Sequence, residues 1–323
     1  MFFKEKKIIV TGAAGFIGSN LTDELLSLGA EVIGIDNLYN GRLENLGNAL
    51  KSKNFQYRKG DIRDLNLLIQ TFEDVDIIYH QAAFTSVPQS VEIPATCNEV
   101  NITGTLNVLN AARIKDVKKI IFATSSSVYG DFPGLPKKED AEKHPLSPYG
   151  VSKLACEGYM KVYCNLYGLD TISLRYFNAF GPRQRDSPYS GVIAIWLGRI
   201  LRNEDLIIYG DGKNSRDFTY IKDVIQANLL AAKSDVLGEI FNIGAGSPIN
   251  LTELAKLMLK LTNSEHLKMI YTDPRPGDII HSFADISKAK QILGYQPQYN
   301  TEGGLREYFK WYNKEYDANL KLN

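Results

Sequence analysis

Cysteine is scarce: Cys97, Cys156 and Cys164 are the only three in 323 residues, and no CxxC pair occurs among them. Three scattered thiols exclude a disulfide framework and fit a reducing compartment, so a cytoplasmic location is expected. Net charge is absent too, with 37 Lys+Arg against 37 Asp+Glu. That balance argues against nucleic acid or a membrane surface as the main partner, while leaving room for a local basic pocket. No apolar run approaches the roughly 20 residues needed to cross a bilayer. The lysines ahead of IIVTGAAGFIG imitate a signal peptide, but Thr11 and the glycines break the run, and no signal sequence is expected. Histidine is rare as well. His80, His144, His266 and His281 show no metal-ligand spacing, so no catalytic metal is expected, and His80 reads as structural.

What is present is ordinary globular material, 44% hydrophobic and 23% charged, without repeats or low-complexity segments. The length suggests two domains or one large α/β unit. KKIIV (6–10), EVIGI (31–35), DIIYH (76–80) and KKIIFA (118–123) read as buried parallel strands. LDTISLRYF (169–177) and EIFNIG (239–244) read as two more. Helical patterns near 16–28, 63–73 and 96–114 alternate with the first strands, which implies a doubly wound parallel sheet. Further helices are expected near 219–233, 251–262 and 302–315. The expected division is a cofactor domain over 1–178 plus about 217–244. A smaller mixed α/β domain over 179–216 and 245–323 would take the substrate.

Thr11-Gly12-Ala13-Ala14-Gly15-Phe16-Ile17-Gly18 stands between the first strand and the first helix. Glycines there allow a tight turn, and a helix N-terminus offers free N–H groups to a pyrophosphate. The spacing is GxxGxxG, and a bland tight turn also needs glycine. Asp36 ends the second strand, where an acid binds adenosine ribose hydroxyls and repels a 2′-phosphate, favouring NAD. Its bland alternative is a turn aspartate. Asp61 and Ile62 of GDIRD are candidates for the adenine, though the same residues make a good helix N-cap.

Tyr149 and Lys153 form YxxxK after a Ser147-Pro148 helix start. Four residues apart, they share a helix face. A lysine ammonium one turn from a phenol is expected to pull its pKa toward neutrality, with positive charge from an oxidised nicotinamide adding to the effect. The run Thr124-Ser125-Ser126-Ser127 ends the KKIIFA strand, at the sheet edge where ligands bind. By itself it reads more readily as a hydroxyl-rich loop bonding its own backbone.

TGAAGFIG, Asp36, QAA (81–83), SSSVYG, YxxxK and RYFNAFGPRQ occur in the order typical of extended short-chain dehydrogenase/reductases acting on nucleotide sugars. The chain resembles that family over about residues 6–315, and within it the UDP-hexose 4-epimerase branch. QAAFTSVPQS, DFPGLPKKED and IIHSFADISKA are most similar to the UDP-N-acetylglucosamine/UDP-glucuronate subgroup. The resemblance implies NAD held by Gly12, Gly15, Phe16, Ile17, Gly18, Asp36, Asn37, Asp61, Ile62, Gln81, Ala82, Ala83, Tyr149, Lys153 and Tyr176. It implies Tyr149 as general base then acid, Lys153 as its electrostatic partner, and Ser125 on the sugar O4. It further implies a UDP-sugar against Ser86, Ser126, Ser127, Asn178, Val192, Arg216, Arg275, Asp278 and Ser282. A homodimer through a four-helix bundle of the 96–114 and 148–167 helices is the family expectation.

The related dehydratases carry an Asp-Glu pair at the positions matching Ser126 and Ser127, and the related decarboxylases carry Glu at Ser127. Serine at both leaves 4-epimerisation as the expected reaction. Ser282 stands where galactose epimerases often have a bulky tyrosine, and a small residue leaves room for a 2-acetamido group. UDP-GlcNAc/UDP-GalNAc are therefore the expected substrates, with UDP-Glc/UDP-Gal also accepted. The alternatives are a UDP-glucuronate 4-epimerase, a related decarboxylase or dehydratase, and a non-catalytic NAD-binding sensor. Sensors of that kind commonly lose the tyrosine or the lysine; both are present here.

Overall fold

The computed structural model describes residues 2–131, 133–184, 187, 191–274, 279–316, 318, 320 and 322. Seven strands form its main sheet: β1 (Lys7–Thr11), β2 (Glu31–Asp36), β3 (Phe55–Lys59), β4 (Ile77–His80), β5 (Lys119–Ser125), β6 (Asp170–Tyr176) and β7 (Glu239–Ile243). Their spatial order is β7-β6-β5-β4-β1-β2-β3, parallel throughout. Period-2 alternation sends neighbouring residues to opposite faces. Ile8, Val10, Tyr79 and Ile121 enter one core, while Ile9, Ile78, Ile120 and Phe122 enter the other. Both faces of the inner strands are dry, which is why β1, β2, β4 and β5 are rich in Ile and Val. Each such side chain contributes about 1.5–3 kcal/mol of burial.

Helices cover both faces, as a doubly wound fold requires. Phe16–Ser27 and Ile221–Lys233 supply Leu21, Leu25 and Val224 to the first core. Leu65–Thr71, Gly104–Ile114 and Pro148–Tyr167 supply Leu68, Leu109 and Met160 to the second. Ser147 caps the last of these by accepting from Gly150 N at 3.1 Å, with Pro148 in the first turn. The helix stops at Gly168, where φ is +69°.

Several elements were not among those expected. β3, FQYRK, lies at the sheet edge with much of its surface in water, so it lacks the apolar run that marks the inner strands. The helix Val192–Leu201 was not among the expected helices; the Gly181, Pro182, Pro188 and Gly191 that precede it in the sequence break any helical pattern leading into it. The pattern over 96–114 is realised as Pro94–Asn98, a π-helical turn Glu99–Thr103, and Gly104–Ile114. That turn aims Asn101 inward, where its amide donates to Ser152 Oγ at 2.8 Å and its oxygen accepts from Phe84 N at 2.7 Å.

Beyond the sheet, Leu206–Tyr209 pairs with Met269–Thr272, and Ser215–Asp217 pairs with both Pro248–Asn250 and His281–Ser282. All three cysteines are free. Among the described residues no helix is long and apolar enough to cross a membrane, and no cluster of His, Cys, Asp or Glu is arranged to hold a metal.

Candidate active site

The strand order reverses between β1 and β4, and a cleft of about 1220 Å³ opens along the carboxyl edge of the sheet. Gly12 turns there with φ +69°, and a Cβ on it would stand 2.8 Å from Ala82 N. A Cβ on Gly18 would stand 2.1 Å from the Gly12 carbonyl oxygen, so helix and turn meet only because both residues are glycine. The Phe16–Ser27 helix begins with no side-chain cap, and Gly15, Phe16 and Ile17 line the cleft. Such an uncapped start is a seat for phosphate oxygens.

Asp36 is 7% exposed; its Oδ2 accepts from Ala14 N at 2.9 Å and its Oδ1 from Leu38 N at 2.8 Å. Burial raises its pKa, with the two backbone donors opposing the rise. Asn37 donates to Asp61 Oδ2 at 2.8 Å, and Arg63, followed by weaker effects, holds Asp61 down at about 2. The N-cap of the next helix is Asp64, which accepts from Leu67 N, so Asp61 is left beside the cleft with Ile62. A glycine cradle, an uncapped helix and an acid at the second strand's end fit a dinucleotide lacking a 2′-phosphate. Gln81, Ala82 and Ala83 continue the wall, and Gln81 and Asn228 both bond the Tyr176 hydroxyl.

Tyr149, Lys153 and Ser125 line the same cleft. Desolvation pushes the Tyr149 phenol up to about 12, against a hydrogen bond with Ser125 that lowers it. Desolvation also brings the Lys153 ammonium down to about 8. Lys153 Nζ donates to Ala123 O at 2.7 Å and lies 6.0 Å from the Tyr149 ring centroid. The protein's own groups therefore leave the phenol above its ordinary value, contrary to the lowering expected from YxxxK alone. His80 is buried between Thr11 Oγ1 (2.7 Å) and Thr105 Oγ1 (3.0 Å), and desolvation holds it near 3, hence neutral.

Ser86, Ser126, Ser127, Asn178, Arg216 and Ser282 complete the far half of the cleft. Ser86 also caps the Val87–Glu92 helix. Ser127 Oγ is buried without a hydrogen-bond partner among the described residues, as a hydroxyl left open to a ligand would be. Asn178 and Arg216 also border an adjoining cavity of about 600 Å³, and Val192 lines that second space instead of the main cleft. Arg216 Nη1 donates to the carbonyls of Ser215 and Ile280, and Ser282 is its register partner. Arg275 and Asp278 lie outside the described residues.

The sequence reading missed the walls. Tyr308, Tyr312 and Tyr316 line the main cleft from one face of the Thr301–Tyr316 helix, and Ile207, Tyr209 and Trp196 line the second cavity. Their i, i+4, i+8 spacing was the available signal, but it reads equally as core.

The family model for the NAD dependent epimerase/dehydratase family matches residues 8–244. A putative UDP-glucose 4-epimerase of Methanocaldococcus jannaschii is 39% identical over 306 residues, covering 94% of this chain and 97% of that protein. The solved UDP-N-acetylglucosamine 4-epimerase of Methanobrevibacter ruminantium, in complex with UDP-N-acetylmuramic acid, superposes with a TM-score of 0.92 at 41% identity, covering 96% and 99%. A tyrosine-to-phenylalanine mutant of the UDP-glucuronic acid 4-epimerase of Bacillus cereus, bound to a fluorinated UDP-glucuronic acid and NAD, gives 0.89 at 33%, covering 96% and 100%. With this coverage and with a cradle that fits the dinucleotide, the chain belongs to the NAD-dependent epimerase/dehydratase family, and its cofactor is NAD.

Proposed function

We propose that the protein is a 4-epimerase of UDP-sugars, interconverting UDP-GlcNAc with UDP-GalNAc and also UDP-Glc with UDP-Gal. One observation carries the reading. Tyr149, Lys153 and Ser125 face a cleft in which the two residues after Ser125 are serines, without the carboxylates that elimination or decarboxylation uses. Tyr149 takes the O4 proton and later returns it, and Ser125 holds O4 through its hydroxyl. NAD, seated by the Gly12–Gly18 turn and Asp36, would supply a reversible hydride acceptor for C4 and a positive charge that favours the phenolate. Lys153 keeps a cation beneath Tyr149 and has further N–H groups for a ribose. Between the two transfers the keto sugar turns over, held by Ser126 and Ser127. The reaction is redox neutral, so the cofactor stays bound.

Arg216 and Asn178, at the junction of the two cavities, suit a diphosphate, since a guanidinium is a fixed bidentate donor. The second cavity then takes the uridine beside Val192. Arg275 and Asp278 are assigned to the same ligand on their motif alone. The small Ser282 supports room for a 2-acetamido group. Ser127 Oγ, with no partner among the described residues, suits a hexuronate carboxylate as well as a hydroxyl, which makes UDP-glucuronate the competing substrate. Incubation with each UDP-sugar without added NAD, followed by product analysis, tests the reading. Conversion of UDP-GlcNAc supports it; binding without conversion, or conversion of UDP-glucuronate alone, defeats it.

The same proposal includes a homodimer. Val151, Val162 and Leu166 stand 51%, 44% and 70% exposed on Pro148–Tyr167, beside Ile114 at 50%. An apolar stripe of that kind on paired helices suits a four-helix bundle with a second copy.

A further inference from the structure

Below the cleft floor lies an ion pair with no part in the steps above. Glu157 and Arg175 are 3% and 1% exposed, and neither lines the cleft. Arg175 Nε donates to Glu157 Oε1 at 2.8 Å, and Nη2 donates to Oε2 at 2.7 Å. Glu157 Oε1 also accepts from Thr124 Oγ1 at 2.8 Å. The remaining guanidinium nitrogen, Nη1, donates to the Tyr129 hydroxyl at 2.6 Å and to the Glu139 carbonyl at 3.0 Å. Tyr129 in turn donates to Asn242 Oδ1 at 2.7 Å.

The sequence positions of these partners give the network its meaning. Thr124 immediately precedes Ser125, and Tyr129 immediately follows Val128. One buried network therefore grips both ends of the segment that carries Ser125, Ser126 and Ser127. Glu157 stands on the helix that carries Tyr149 and Lys153, four residues past the lysine, about one turn. A buried ion pair is a poor source of stability, because apolar residues of like volume fill such space at lower desolvation cost.

We propose that Glu157 and Arg175 are positioning residues that fix the serine segment against the Tyr149–Lys153 helix, so that Ser125 and Tyr149 meet the same sugar hydroxyl. The proposal rests on the assignment of those residues as the reacting groups. Charge adds a second consequence. Lys153 is faced by Tyr149, Cys156 and Glu157 on its own helix, by Cys97 from Pro94–Asn98 and by His80 at the end of β4. Glu157 is among the groups that oppose the fall of its pKa, so loss of that carboxylate lowers it further.

Three variants of the NAD-loaded enzyme test this: Thr124→Val, Glu157→Gln, and the double Glu157→Leu/Arg175→Met, which leaves no buried charge behind. The double variant is expected to fold, keep its NAD and lose about a hundredfold in kcat, with KM nearly unchanged. Thr124→Val, a change of one buried hydroxyl, is expected to lose about tenfold in kcat. Glu157→Gln should also move the alkaline limb of the kcat profile to lower pH, because the charge beside Lys153 is lost; the loss of kcat at nearly constant KM in folded, NAD-loaded protein is what a merely structural pair would not give. Wild-type kcat in folded Thr124→Val and double variants, or in Thr124→Val alone where the double does not fold, overturns the proposal. Tyr149→Phe serves as the control: if it still turns over, the assignment of the reacting groups fails instead.

Discussion

The Lys153 ammonium donates a 2.7 Å hydrogen bond to the carbonyl of Ala123, two residues before Ser125 on β5. That bond ties the YxxxK helix to the strand carrying the serines. It also keeps a cation in a buried place, which costs stability at neutral pH.

The folded value of Lys153, about 8, lies below the ordinary 10.5. Between those values the unfolded chain binds more protons than the folded one, so stability rises with pH across the window. Relative to Lys153→Met, the wild type should gain up to roughly 3 kcal/mol between pH 8 and 10.5, at about 1.4 kcal/mol per unit. Urea melts at stepped pH measure this. Parallel curves for the two proteins would show that the ammonium is not held down by burial.

Gly18→Ala should empty the enzyme of cofactor. Its methyl would collide with the Gly12 carbonyl, and the turn that shapes the phosphate seat must open. We expect a loss of about 2–3 kcal/mol in stability, in the range of overpacking. The purified variant should yield no NAD on acid release, whereas a full complement would mean the turn tolerates the methyl.

Ser282→Tyr should separate the substrates. The residue is 8% exposed and lines the cleft, so a phenol there takes volume from the sugar. Turnover of N-acetylated UDP-sugars should fall roughly a hundredfold while that of plain hexoses persists, a discrimination typical of pocket volume. Plain-hexose turnover is the internal check on folding; equal loss for both substrates defeats the volume argument.

Leu166→Glu should yield a monomer by light scattering, because it places a charge in the proposed bundle. A wild-type mass for the variant, or a monomeric wild type, would remove the dimer.

Much of this was legible from the chain because the chemistry sits at strand ends. Buried parallel strands announce themselves as Ile/Val runs, and Gly12, Asp36, Ser125 and Tyr149 follow such runs or open a capped helix. β3 was silent because an edge strand needs no apolar face. Val192–Leu201 was hidden by the Pro and Gly residues before it. The Tyr308, Tyr312 and Tyr316 wall was unreadable for another reason: a helix face shows its period, not its neighbour. The Tyr149 pKa shows the same limit in electrostatics, since spacing gives Lys153 a place on the face but says nothing of the desolvation around both groups.

The most direct test of the account follows the hydrogen on C4. UDP-GlcNAc deuterated at C4 is incubated with enzyme carrying only its own NAD, in ordinary water, and the product is read by mass and proton spectra. Hydride that leaves and returns within one closed site predicts UDP-GalNAc with the label still at C4. Loss of label to solvent, or a product short of water or carbon dioxide, would contradict 4-epimerisation.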